Sequence, residues 1–216
     1  MNINLEDIYE QLLSQFGHRH WWPATTQEEV IIGAILTQSV SWRNANKAIS
    51  NLKAHGLLSL EAIHKTDTSN IASLIKSTRF YNQKAKKLKY FTEFLLAKYN
   101  GSLEVLFSKS LPALRDELLH INGLGEETVD SILLYAGNKD IFVVDAYTKR
   151  IFSRLGIVDE NTSYKECQDL FMANLNRDAK LYNDYHAQIV YLGHHYCKKR
   201  NPECTKCPLQ QLCEKR

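Results

Sequence analysis

Apolar residues recur at intervals of three and four along nearly the whole chain, which is the spacing of one face of an α-helix. The first such face runs from Leu5 to Phe16, after Asn4 as a possible N-cap and before Gly17 as a stop signal. The apolar stretch 141–144 is too short and too isolated to indicate a sheet. The periodicity therefore predicts an all-α fold.

Composition and the apolar runs limit the class of protein. Of the 216 residues, 44% are hydrophobic and 24% are charged, an ordinary globular balance that excludes wholesale disorder. The longest apolar run, Val30 to Leu36, is far too short to span a bilayer. The first seven residues are acidic and lack the order of a signal peptide. We expect a soluble, cytoplasmic protein with no membrane partner.

Positive charge is concentrated in two places. Net charge is only +3, but residues 197–216 hold six basic and two acidic residues, and residues 76–92 hold six basic residues and no acid. Such patches suit a polyanion such as nucleic acid. A solvated helix face and a solubilising tail are the alternative interpretation.

Four of the five cysteines lie in the last twenty residues, at Cys197, Cys204, Cys207 and Cys213. In the absence of a secretory signal, clustered thiolates indicate a metal site rather than disulfides. Four sulfur ligands suit zinc or an iron–sulfur cluster, and chemistry alone leaves both open. Cys167 lies apart at a helical position and is interpreted as a buried small hydrophobe.

Residues 111–136 read as two helices joined by a turn that contains Gly123 and Gly125. Such a turn leaves backbone N–H groups at the start of the second helix, where they and the helix dipole favour an anion such as phosphate. Thr128 could add a hydroxyl donor. These contacts would hold a nucleic-acid backbone without reading its bases.

Asp145 follows an apolar run, twenty residues beyond Gly125. An acid at a helix start is commonly an N-cap, and taken alone this is the favoured interpretation. The position of Asp145 relative to the glycine turn adds a second hypothesis, that this acid takes part in catalysis.

The glycine turn, Asp145 and the cysteine spacing, in this order, resemble the endonuclease III superfamily of DNA base-excision glycosylases. The resemblance implies a 4Fe–4S cluster held by the four terminal cysteines. It also implies that Gln38, in a Leu-Thr-Gln-Ser segment, enters the gap left by a flipped base. The implied organisation is a helical barrel over 23–136 and a second helical domain from 1–22 and 137–216, with the cluster loop at 197–213 and DNA in the cleft between the domains.

Within that superfamily, several motifs resemble the bacterial 3-methyladenine DNA glycosylases. They are Trp21-Trp22-Pro23, the segment from Gly33 to Gln38, Trp42, the segment from Phe80 to Lys86, and Glu127. The resemblance implies a base pocket that contains Trp21, Trp22, Trp42, Glu127 and Gln188. Tryptophans as core anchors and Glu127 as a favourable charge at its helix start are the alternative interpretations.

Two positions narrow the reaction. Members that also nick the strand carry a lysine nucleophile where this chain has Glu127, and an anion cannot form a Schiff base. The adenine glycosylases carry a glutamate where this chain has Gly33. The best-known methyladenine glycosylases have a pocket lysine at the position of Gln188, and they lack the cluster cysteines. The sequence therefore indicates the type of reaction more firmly than the substrate. The sequence predicts a monofunctional enzyme.

The expected substrate is double-stranded DNA that contains a methylated purine. Such a base is cationic, so its glycosidic bond is weakened and aromatic faces attract it. We expect Asp145 to stabilise the sugar cation, Lys198, Lys199 and Arg200 to contact phosphates, and the chain to act as a monomer. A glycosylase for oxidised or deaminated pyrimidines with lyase activity through another lysine, and a non-catalytic damage-binding protein, are the two alternatives.

Overall fold

The computed structural model describes residues 4–213, and it contains helices and no strand within that range. The α-helices are α1 (Leu5–Phe16), α2 (Gln27–Leu36), α3 (Trp42–Ala54), α4 (Leu60–Lys65), α5 (Thr68–Leu74), α6 (Tyr81–Tyr99), α7 (Leu103–Ser108), α8 (Leu111–Leu119), α9 (Glu126–Ser131), α10 (Ala146–Arg154), α11 (Tyr164–Asn174) and α12 (Ala179–His195). Short 3₁₀ turns cover Lys76–Thr78, Cys204–Lys206 and Gln210–Leu212. The predicted all-α fold is confirmed.

Local sequence accounts for most helix boundaries. Asn4 caps α1 through its side chain, and Gly17 follows it at φ +66°. Pro112 lies in the first turn of α8. The helix after the glycine turn, predicted to run to residue 136, changes at Ile132–Ala136 into a π-helical turn. None of the helices in residues 4–213 has the length and apolar character to cross a membrane.

The chain forms two compact units. One comprises residues 24–139, and the other comprises the described parts of the two termini, residues 4–23 and 140–213. In the first unit, α2 is buried along seven consecutive residues and packs against α3, α6 and the π-helical turn that extends α9. This explains why Val30 to Leu36 is apolar on every side.

The terminal unit packs α12 against α1 and α10. Its core is aromatic, with Phe142 stacked on Phe171 at a centroid distance of 4.0 Å. The segment 141–144 is buried but forms no strand, and Gln168 donates a hydrogen bond to the Phe142 carbonyl. The same unit carries Asp145 at one end of α10 and the cysteine loop after α12.

Candidate functional site

The glycine turn joins α8 to α9 in the unit 24–139. Gly123 has φ +85°, a conformation that favours glycine, and Gly125 is the N-cap of α9 in extended conformation. As a glycine, Gly125 provides no side-chain cap, so the N terminus of α9 carries no side-chain oxygen from its own cap. Arg115 of α8 pairs with the fully buried Asp130 of α9, with Nε to Oδ1 at 2.7 Å and Nη2 to Oδ2 at 3.1 Å. This bidentate pair holds the two helices of the hairpin together.

Gln38 lies against the hairpin. Its Nε2 donates to the Thr128 hydroxyl at 2.8 Å and to the Gly123 carbonyl at 3.2 Å, and its Oε1 accepts from Lys87 Nζ at 2.6 Å. Thr128 is buried, and its hydroxyl accepts from Gln38 in this structure. The structure therefore brings Gln38, Gly123 and Thr128 into one hydrogen-bonded group.

Three of the six basic residues in the stretch 76–92 make contacts inside the protein. Lys84 is buried and donates to the carbonyls of Leu36 and Thr78, and burial lowers its pKa to about 8. Lys89 donates to the carbonyls of residues 63, 64 and 66. Burial also lowers the pKa of Lys87. Helix periodicity turns these three lysines towards carbonyls and Gln38, whereas Lys76, Arg79 and Lys86 are exposed, so part of the stretch is open to a polyanion.

Beside this stretch, Phe80 is 61% exposed and has φ +41°, and Arg79 before it has φ +52°. Two adjacent non-glycine residues in the left-handed region are unusual, and such strain is concentrated at functional sites. The Arg79 guanidinium lies 5.7 Å from the Phe80 ring centroid. The sequence analysis did not select Phe80 as a site residue, because exposure and backbone conformation carry the signal and neither is visible in the sequence.

Asp145 is the N-cap of α10 and also has an oxygen beyond its capping role. Its Oδ1 accepts from the Thr148 N–H at 2.7 Å and from the Thr148 hydroxyl at 2.9 Å, which completes a capping box. Its Oδ2 lies 3.7 Å from His186 Nε2, and the side chain is 12% exposed. The N-cap interpretation is therefore observed, and it leaves Oδ2 available for a second role.

His186 is a candidate site residue that was not predicted from the sequence. It lies on α12, is buried, and faces Asp145. Burial lowers its pKa although the Asp145 charge acts in the opposite direction, so the imidazole is neutral near pH 7. No sequence signal singled it out, because α12 carries polar residues at several other positions.

The predicted base-pocket residues fall on both units. Trp21 and Trp22 are half-buried with ring centroids 5.3 Å apart, and Gln188 is fully buried and donates to the Gly17 carbonyl at 2.7 Å. In the unit 24–139, Trp42 begins α3 and is half-buried, and Glu127 is exposed in the first turn of α9. Gln188 acts here on the segment that precedes the tryptophans.

The four terminal cysteines line one small cavity together with Arg154, Tyr196 and Gln210. Arg154 Nη1 donates to Cys197 Sγ at 3.2 Å. Burial raises the pKa of Cys207, and the three other thiols act in the same direction. Within residues 4–213, no three His, Cys, Asp or Glu side chains are grouped as ligands of a single ion.

The basic residues after Cys197 are partly paired. The Lys198 ammonium contacts Glu203, whereas Lys199 and Arg200 are exposed. Arg154 accounts for the position of this loop, because it donates to the carbonyls of Lys198 and Lys199. Two of the three predicted phosphate contacts therefore point to solvent, and the third shares its charge with an acid.

Comparison with known proteins places these features in a family. Residues 32–177 match the family model of the HhH-GPD superfamily base excision DNA repair proteins. The chain is 47% identical, over 95% of its length and 94% of the relative's, to a protein of Methanocaldococcus jannaschii that carries the provisional name DNA repair glycosylase. It is 27% identical to the endonuclease III of Thermotoga maritima, over 97% of this chain and 92% of that one.

Solved structures agree with this placement. The 3-methyladenine DNA glycosylase of H. pylori, in a crystal structure bound to 1,N6-ethenoadenine, matches with a TM-score of 0.76 and 28% identity, over 87% of this chain and 96% of that one. A trapped endonuclease III–DNA covalent intermediate shares the fold with a TM-score of 0.82 at 22% identity, over 97% and 94% of the two chains. The chain therefore belongs to the HhH-GPD superfamily of base excision DNA repair proteins, as a DNA glycosylase of that superfamily.

Proposed function

We propose that this protein is a monofunctional glycosylase that hydrolyses the N-glycosidic bond of 3-methyladenine-type purines in duplex DNA. The observation that carries the proposal is the half-used carboxylate of Asp145. Capping engages Oδ1, and Oδ2 lies beside the buried, neutral His186. A carboxylate of this kind can stabilise the positive charge that develops on a sugar as its base departs.

The substrate class rests on the chemistry of the leaving base. A purine methylated at N3 is cationic, so its departure needs no general acid, and aromatic faces attract it by about 2 kcal/mol each when desolvated. Trp21, Trp22 and Trp42 offer such faces, and Glu127, which is exposed on α9, offers an anion. The 28% identity to the H. pylori 3-methyladenine glycosylase supports the same class.

The absence of strand cleavage rests on the hairpin. Glu127 lies in the first turn of α9, where strand-nicking members of the superfamily carry their lysine nucleophile. Lys87 lies against Gly123 of the hairpin, and its ammonium is engaged with Gln38. We therefore propose that water, rather than an amine of the protein, attacks the sugar.

DNA binding would begin at the hairpin, where the glycine turn allows a phosphate to approach the backbone of α9. Extrusion of the damaged nucleotide costs a few kcal/mol and costs least for a damaged base. Gln38 would fill part of the vacated space after exchanging its contacts with Lys87 and Thr128 for DNA. The exposed ring of Phe80 is suited to stack on an unpaired base.

We also propose that Cys197, Cys204, Cys207 and Cys213 hold a 4Fe–4S cluster. All four line one cavity, and four thiolates are the ligand set that such a cluster takes. With four thiolate ligands the cluster would be a structural element, and the chain's own Arg154 would support it through the bond to Cys197.

The metal proposal has a direct measurement. Protein purified without air is expected to contain about four iron atoms and about four acid-labile sulfides per chain, with a broad absorption band near ~400 nm. A Cys204→Ala variant is expected to lose both, while Cys167→Ala, which removes a thiol buried in the core, keeps them. One zinc atom per chain and no labile sulfide would contradict the cluster.

The substrate proposal is tested by excision from duplexes that carry 3-methyladenine, 7-methylguanine, uracil or an oxidised pyrimidine. We expect release of the methylated purines at a rate at least about a hundredfold above that of the pyrimidines. Borohydride with abasic DNA is expected to trap no covalent adduct. Pyrimidine release together with a trapped adduct would instead favour the second candidate, an endonuclease III-type glycosylase and lyase, which the T. maritima relative supports.

We propose that the protein acts on DNA as a monomer, with a helical barrel over 23–136 and a second helical domain from 1–22 and 137–216. Sedimentation of the complex with a short lesion duplex tests the stoichiometry. One chain per duplex is expected, and two chains per duplex would contradict the proposal.

A further inference from the structure

Helix α12 places three side chains against residues 17–19, the segment that follows α1. Asp184, Gln188 and Tyr191 are spaced by four and three residues, so they share one face of the helix. Gln188 Nε2 donates to the Gly17 carbonyl at 2.7 Å, and the Arg19 guanidinium lies 3.9 Å from the Tyr191 ring centroid. Consecutive turns of α12 thus contact the segment near both of its ends.

Asp184 makes the central contact. Its Oδ1 accepts from the Arg19 backbone N–H at 2.9 Å, and its Oδ2 lies 3.0 Å from His18 Nδ1. Oδ2 also accepts from the Tyr9 hydroxyl of α1 at 3.0 Å. Both carboxylate oxygens are engaged, and the main donors come from the segment and from the helix that precedes it.

The Asp184 carboxylate is buried enough that its charged form depends on these hydrogen bonds. The Asp184 side chain is 12% exposed, and a charge in such a place is tolerated only when hydrogen bonds replace its hydration. Burial alone would raise its pKa, but the bonds from Arg19, His18 and Tyr9 outweigh burial and lower the pKa. The charged form of Asp184 is therefore the form that holds the segment.

The chain continues directly from this anchored segment to the two tryptophans. His20 follows Arg19 with φ +49°, and the Trp21 and Trp22 rings come next, 5.3 Å apart. Because only one residue separates the last anchored residue from Trp21, the position of the ring pair depends on where α12 holds residues 17–19.

We propose that Asp184 is a positioning residue for substrate recognition, which orders residues 17–19 so that Trp21 and Trp22 present their faces to the damaged base. The inference rests on the proposed function, since it assigns those rings to base recognition. Asp184 itself touches neither the base nor the sugar in this proposal. It acts through the backbone of Arg19 and the imidazole of His18.

Hydrogen exchange tests the anchoring without reference to activity. In Asp184→Ala, exchange of the amides of residues 17–22 is expected to accelerate about tenfold or more, because a bond to a charged acceptor is lost. Tyr9→Phe is the matched control: it removes a donor to the same carboxylate from α1 but leaves both segment contacts, so exchange in 17–22 stays unchanged. His18→Ala is a second variant, and it is expected to fold normally because the His18 side chain is 63% exposed. It is expected to accelerate amide exchange in residues 17–22 by a smaller factor.

Activity tests the consequence. In Asp184→Ala, kcat/KM for release of 3-methyladenine is expected to fall about tenfold, while affinity for a duplex with a tetrahydrofuran abasic analogue, which has no base, stays within about twofold. Equal losses of both, or unchanged exchange in Asp184→Ala and His18→Ala, would overturn the inference. If the wild-type protein releases no methylated purine, the proposed function fails, and the exchange data still decide whether Asp184 orders the segment.

Discussion

Replacement of Asp145 by asparagine is expected to lower the rate of base release about a thousandfold or more, with little loss of stability. Asparagine keeps an oxygen for the Thr148 N–H and is itself a good N-cap, so α10 should start at the same residue. Only the charge disappears, and with it the stabilisation of the sugar cation. Single-turnover release of 3-methyladenine and thermal unfolding measure the two effects separately.

Two further variants separate capping from chemistry. Asp145→Ala removes the cap as well as the charge, so it should lose the same activity and also about 1 kcal/mol of stability. Asp178 caps α12 through its side chain, so Asp178→Asn changes a helix cap of the same kind outside the proposed site, and activity should be retained. Near-normal turnover in Asp145→Asn would remove Asp145 from the mechanism, whatever its stability.

The second large effect is expected at the glycine turn. A Cβ on Gly123 would lie 2.6 Å from Lys87 Cε, and the residue has φ +85°. Gly123→Ala is therefore expected to strain the turn by about 1 kcal/mol or more and to displace Lys87, which holds Gln38. Affinity for abasic-analogue DNA should fall at least about tenfold, measured by fluorescence anisotropy at fixed salt.

Gly125 and Gly56 provide matched controls. Gly125 has an extended backbone, and a Cβ added there would meet open space, so Gly125→Ala should leave stability unchanged and weaken DNA binding only, by obstructing phosphate approach. Gly56 has φ +67° in the loop between α3 and α4, so Gly56→Ala should cost stability without altering DNA binding. If Gly123→Ala and Gly125→Ala both bind DNA normally, the hairpin is not the phosphate site.

Sequence spacing predicted the fold class well because helix formation is a local property. The three-four spacing of residues 5–16 reports which face of α1 will be buried, whatever it packs against. The family follows from motifs that are equally local, such as the glycine turn and the run of terminal cysteines. For the same reason, spacing could not show which lysines of α6 turn inward, since the direction of Lys84 depends on carbonyls 6 and 48 residues away.

The candidate site shows a similar division. Asp145 was predicted with two competing roles; the structure shows the capping role at Oδ1 and places His186 beside Oδ2. His186 could not be selected, as its importance comes from a contact with a residue far away in the chain. Thr128 was predicted as a possible hydroxyl donor to phosphate, and the structure shows that its hydroxyl accepts a hydrogen bond from Gln38.

By itself, the sequence determined that the chain is helical, that four of its five cysteines are clustered, and that its motifs are those of a base-excision glycosylase. Tertiary structure alone decided which polar side chains donate to internal carbonyls and which oxygen of Asp145 is not engaged by the helix cap. It also decided that Asp184 anchors the segment before the tryptophans. The physical reason is range. Helical periodicity and capping act within a few residues, whereas a hydrogen bond or a buried charge is set by groups brought together only when the chain has folded.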